Sequence, residues 1–133
     1  MNELVTRIEK AELCYVFADN ALRRGRRDLA IEAYRHAVDL RAAEHVDVTE
    51  DERLALKAFY AYEEALSYGE RRRKCATGTW QLVKKHGILE ALKKRLASRS
   101  VDDMDARLKK LDMQDYSIRA VALRLGIVLE EVA

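Results

Sequence analysis

Residues 30–40 read Ala-Ile-Glu-Ala-Tyr-Arg-His-Ala-Val-Asp-Leu. Ala30, Tyr34 and Ala37 stand at positions i, i+4 and i+7, which are neighbours on one face of an α-helix. The same Ala-x3-Tyr-x2-Ala spacing occurs at Ala11/Tyr15/Ala18 and at Ala58/Tyr62/Ala65. Small residues beside a tyrosine let a second helix approach closely while the ring fills the gap next to it. Three such faces on three long segments predict antiparallel helices that share a core.

Working outward, Leu4, Ile8, Ala11, Tyr15, Ala18 and Leu22 paint one face of a first segment, capped by Asn2 and ended by Gly25. The second segment is expected to start at Asp28 as N-cap and to run through Leu40 and Arg41. Thr49-Glu50-Asp51-Glu52 fits a capping box for a third, through Leu54 and Leu66 to Gly69. Beyond it, Thr77-Gly78-Thr79 is read as a break before a short helix Trp80–His86, and Gly87 as a break before Ile88–Ala97. Ser100 with Asp103 opens Val101–Leu111, and Asp115-Tyr116-Ser117 precedes Ile118–Leu125, with last turns after Gly126 through Val132.

No stretch sustains strand-like alternation. The chain has 133 residues and no proline, against an average usage of about 5%. The reading is an all-α fold, a compact bundle of about seven helices in a single domain 1–133. Within it, 1–69 is expected to form a three-helix bundle, 70–99 a basic helix-turn-helix-like segment, and 100–133 the C-terminal helices. The balance of 36% charged and 49% hydrophobic residues excludes a disordered chain.

Ala18, Leu22 and Gly25, followed by Ala30, Tyr34, Ala37 and Leu40, resemble a tetratricopeptide helical hairpin. Residues 4–66 are also similar to the microtubule-interacting-and-trafficking domain, through Ala33-Tyr34-Arg35-His36-Ala37-Val38. Either resemblance implies a protein–protein adaptor that takes a partner's short peptide or helix in a groove between helices. The chain departs from a repeat array, because the next Ala-Tyr-Ala match follows after 28 residues rather than 34.

The formal net charge of +2 conceals a pattern: residues 1–70 carry −5, residues 71–99 carry +9 and residues 100–133 carry −2. The basic stretch holds Arg71, Arg72, Arg73, Lys74, Lys84, Lys85, Lys93, Lys94, Arg95 and Arg99 against Glu90 alone. Such a cluster points to a polyanion, because cations that contact phosphates release counterions. The leading expectation is therefore a non-enzymatic, nucleic-acid-associated binding module acting through 71–99. Two stretches fit a helix-turn-helix frame: Ile118–Val132, with Ala122, Gly126 and Val132 in the frame but Glu130 and Glu131 where cations belong, and Thr79–Leu96, with Gly87 at the turn. Trp80 is the only tryptophan and reads as a core anchor more readily than as a base-stacking platform.

No catalytic constellation emerges. His36, His45 and His86 are scattered, and no Cys-x-x-Cys, phosphate-cradling glycine loop or Glu-x-x-His is present. Glu32 and His36 share a face and read as a surface pair. Glu63/Glu64 and Asp102/Asp103 read as solvated neighbours on different faces. No enzyme, metal or cofactor is therefore expected. Cys14 and Cys75 read as reduced thiols, Cys14 in the core. The N-terminus lacks the pattern of a signal peptide, and the longest early apolar stretch, Leu13–Ala18, is too short to span a membrane. These features imply a cytoplasmic protein off the membrane. The apolar tail Ile127, Val128, Leu129 and Val132 is compatible with a homo-oligomer.

Overall fold

The computed structural model describes residues 2–127. Among these residues the protein is all-helical, with no strand. The helices are α1 (Glu3–Thr6), α2 (Ala11–Arg23), α3 (Arg27–Ala43), α4 (Glu50–Ser67), α5 (Thr77–His86), α6 (Ile88–Leu96), α7 (Val101–Lys110) and α8 (Ile118–Arg124), with a 3-10 turn at Gln114–Tyr116. The chain divides into two compact units, Met1–Val46 and Asp47–Ala133. The expected last turns after Gly126, with Val128, Leu129, Glu130, Glu131 and Val132, lie outside the described residues.

In the first unit α2 and α3 form a close hairpin and α1 packs on α3. Ala11, Cys14, Ala18, Ala30, Ala33, Tyr34 and Ala37 are buried, so the first two small-aromatic-small faces lie in this unit's core, while the third, Ala58/Tyr62/Ala65, belongs to α4 of the second unit. Tyr15 is half-buried and carries the Arg41 guanidinium 5.8 Å from its ring centroid. Gly25 adopts φ +72°, and the Arg26 N–H reaches back to the Ala21 carbonyl at 2.8 Å, closing α2 as expected.

Two local expectations are corrected. The first segment is not one helix: α1 ends at Thr6 and α2 begins at Ala11. The break is held from α3, where His36 Nε2 lies 2.7 Å from the Ile8 carbonyl oxygen, and the start of α1 is held by Glu32, whose Oε2 accepts from the Asn2 N–H at 3.3 Å. Glu32 and His36 thus act as anchors and not as a bare surface pair. Asp28 is not the N-cap of α3; it stands in the first turn, and its carboxylate takes Arg26 Nε and Nη2 at 3.1 and 3.0 Å. Arg26 in turn holds the Asp28 carboxyl below its ordinary range.

In the second unit α4 packs against α6, α7, α8 and the 3-10 turn. It is buried on nearly every side over Ala55–Ser67, as a central helix must be. Around it lie Leu92, Met104, Leu108, Leu111, Met113, Ile118 and Val121. Its start is the expected capping box: Thr49 Oγ1 accepts from the Glu52 N–H at 3.1 Å, and Glu52 Oε1 accepts from the Thr49 N–H at 2.9 Å. Ser117 caps α8 by accepting from the Ala120 N–H at 3.1 Å. Ser100 does not cap α7 with its side chain, which instead meets Ser98 Oγ at 2.8 Å. Arg119 of α8 spans to α7, with Nη2 2.6 Å from Asp102 Oδ1 and Nη1 3.5 Å from Asp105 Oδ2.

Thr49→Ala is expected to cost about 1 kcal/mol in urea denaturation, the usual value of a lost N-cap. Burial raises the Asp105 carboxyl above its ordinary range, with Arg119 opposing the shift. A group whose folded-state pKa is raised stabilises least once ionised, so its contribution falls as pH rises through that value. Asp105→Asn is accordingly expected to gain on the wild type as pH rises through and above the ordinary aspartate range. A stability difference that stays constant across that range contradicts the assignment.

Candidate nucleic-acid interface

The basic segment begins where α4 ends, and α4 fixes its path. Glu63, Glu64 and Ser67 continue the i+3/i+4 ladder that Leu56 and Phe59 begin, and all three are buried. Ser67 Oγ accepts from the Lys74 N–H at 2.9 Å and donates to the Lys74 carbonyl oxygen at 3.3 Å. Glu63 Oε2 accepts from the Ala76 N–H at 2.7 Å and from the Trp80 indole N–H at 2.8 Å. Glu64 Oε1 meets Arg73 Nη2 at 2.7 Å. Charge-assisted bonds of this kind are stronger than neutral ones, and a buried carboxylate requires them.

The reading of Glu63 and Glu64 as solvated neighbours is therefore corrected: they are 3% and 1% exposed. Trp80 is half-buried against α4, edge-on to Phe59 at 5.8 Å and tilted on Tyr60 at 4.9 Å between ring centroids. Ala76 also serves as N-cap of α5, so the carboxylate that a helix N-terminus favours comes from the protein's own α4. Thr77-Gly78-Thr79, read as a break, forms the first turn of this helix.

The structure distributes the ten candidate cations unequally. Arg73 is drawn to Glu64. Arg95 is half-buried, with Nη2 3.4 Å from Ser100 Oγ and 3.1 Å from Met104 Sδ. It lines a cavity of about 220 Å³ together with Cys75, Ala76, Thr77 and Thr79. Lys74 pairs with Glu70 at 3.4 Å and Lys93 with Glu90 at 3.2 Å, both exposed. Such pairs contribute little and open readily to a competing anion. Arg71, Arg72, Lys84, Lys85, Lys94 and Arg99 are exposed and make no ion pair among the described residues.

Arg71 and Arg72 lie in the link between α4 and α5. Lys84 and Lys85 stand with Gln81 on the exposed side of α5, while Lys93 and Lys94 stand with Glu90 on the exposed side of α6. The two helices pack on each other across Gly87, whose φ of +91° turns the chain in a single residue. Among the described residues, no three His, Cys, Asp or Glu side chains gather as metal ligands would, and no helix is long and apolar enough to cross a membrane. Compared with known proteins, the chain matches no family model, and no curated protein or solved structure shows significant similarity to it.

Type alone hides the Glu63 contacts in the sequence, although the ladder position after Phe59 carries the signal. Glu63→Ala leaves two donors without their acceptor, each worth about 1–3 kcal/mol. Urea denaturation followed by the emission of Trp80 is expected to show a loss of about 2–5 kcal/mol and a changed native emission maximum. A loss within 0.5 kcal/mol, roughly that of a neutral surface change, contradicts the role given to Glu63.

Proposed function

We propose that the protein is a non-enzymatic binding module that contacts a polyanion, nucleic acid in the first instance, through the basic segment 71–99. One observation carries the reading: Arg71, Arg72, Lys84, Lys85, Lys94 and Arg99 are exposed and without an ion pair among the described residues. An exposed cation contributes little to folding in such a position. It contributes strongly to binding, because each phosphate it neutralises releases counterion. Lys74 and Lys93 add to the set when Glu70 and Glu90 yield them. Arg73 and Arg95 do not, since both are committed inward, and they hold the segment in place.

The link between α4 and α5 is pinned at Lys74 by Ser67 and at Ala76 by Glu63, which fixes the backbone on the α5 side of Arg71 and Arg72. That lowers the ordering cost that binding otherwise meets. The aromatic content of the segment is Trp80 alone, and its indole is engaged on α4. Contacts to phosphates, rather than stacking of successive bases, are the mode this chemistry supports.

Replacing Arg72, Lys84 and Lys94 together by Glu tests the reading. Retention on heparin and affinity for a duplex oligonucleotide are expected to fall at least tenfold, with the salt slope reduced by roughly one for each lost phosphate contact. Far-UV helicity is expected to stay unchanged. Wild-type retention in the triple variant rules the proposal out.

A further inference from the structure

Two exposed apolar side chains of the first unit share one face of α2, and a third, on α1, lines the cavity at its end. Leu13 is 54% exposed, Val16 56% and Leu4 of α1 62%. Leu13, Val16, Phe17 and Asn20 fall at i, i+3, i+4 and i+7 of α2, on the side opposite Ala11, Ala18 and Leu22. At its C-terminal end this face runs into a cavity of about 310 Å³ lined by Leu4, Phe17, Asn20, Ala21, Arg24 and Leu29. A helix apolar on both sides, with only a narrow polar strip between, is one that another helix covers. Isolated surface leucines need no explanation, but this contiguous stripe does.

The charges beside the stripe say what fits it. The polar strip of α2 carries Glu12 at its N-terminal end and Arg23 at its C-terminal end, eleven residues or about three turns apart. Both lie on the same flank, and Asp19 sits one turn before Arg23. Outside the helix, Glu9 precedes it and Arg24 follows it. A strip that is acidic at one end and basic at the other complements a reversed copy of itself. Residues 1–46 as a whole carry eight basic and eight acidic side chains, so no net repulsion opposes pairing of like with like.

We infer that the α2 face is the contact of an antiparallel homodimer, in which the second copy's α2 lies across the first. Two-fold symmetry makes every contact occur twice. The apolar register sets Val16 against the partner's Phe17, and Asn20 against the partner's Leu13. That leucine then lies at the cavity beside Phe17 and Leu29. The same register sets Glu12 between the partner's Arg23 and Asp19, with Arg23 on the edge of the strip nearer the Leu13/Val16 face and Asp19 farther round the helix, so the closer charge is the opposite one. A parallel two-fold pair would instead place the two strips on opposite flanks, where neither meets the other. None of the cations of 71–99 takes part, so the dimer is independent of polyanion binding.

Sedimentation equilibrium of the full chain at about 10–100 μM, the range in which weak dimers separate from monomers, tests it. A dimer is expected for the wild type, and Leu13→Glu and Val16→Glu are each expected to weaken it at least tenfold. Because both side chains are solvent-exposed in the single chain, far-UV helicity should stay at the wild-type value. The single variants Glu12→Arg and Arg23→Glu are expected to weaken the dimer, and the double variant to recover most of the loss. A monomeric wild type overturns the inference, as does a dimer indifferent to Leu13→Glu and Val16→Glu. Failure of the double variant to recover overturns the antiparallel arrangement.

Discussion

A buried carboxylate on the central helix of the second unit, Glu63, organises the link and the helix that come after α4. Its Oε2 takes the Ala76 backbone N–H and the Trp80 indole N–H together. The first bond fixes where α5 begins, and the second fixes how the one large aromatic of that helix lies on Phe59 and Tyr60. A carboxylate out of water without such donors is too costly to keep, so the loop path and the carboxylate sustain each other. Glu64 adds Arg73 and Ser67 adds the Lys74 backbone, and the link between α4 and α5 is held along most of its length.

That arrangement gives the basic segment two kinds of cation. Arg73 and Arg95 turn inward, where a planar guanidinium satisfies acceptors that a solvated ammonium would leave. Arg71, Arg72, Lys84, Lys85, Lys94 and Arg99 remain in water. The +9 of residues 71–99 is thus a sum over structural and exposed charge, and only the exposed part bears on a partner.

The all-α class, the capping box at Thr49, the turn glycines and the small-residue contact between α2 and α3 were legible because each depends on spacing within one segment. The polar contacts between segments were not. The break at Arg7–Lys10 is held by His36, 28 residues on from Ile8, and helical periodicity runs through the break without a mark. Asp28 looks like a cap by type, but Arg26 claims its carboxylate. Glu63 and Glu64 look solvated by type, and only the packing of α4 on every side removes them from water. The charge island could be read from the sequence, whereas its division into inward and outward members required the structure.

The indole N–H of Trp80 reports on the central interaction directly, since the chain holds one tryptophan and its resonance in a ¹H–¹⁵N spectrum is unambiguous. Held by Glu63, this proton is expected to resonate away from the free-indole position and to exchange with solvent far more slowly than an exposed indole. The signal should also stay slow when Arg71 and Arg72 are neutralised, because neither takes part in the bond. An indole proton at the free position, exchanging at the rate of an open side chain, would contradict the organisation described for α4, the link and α5.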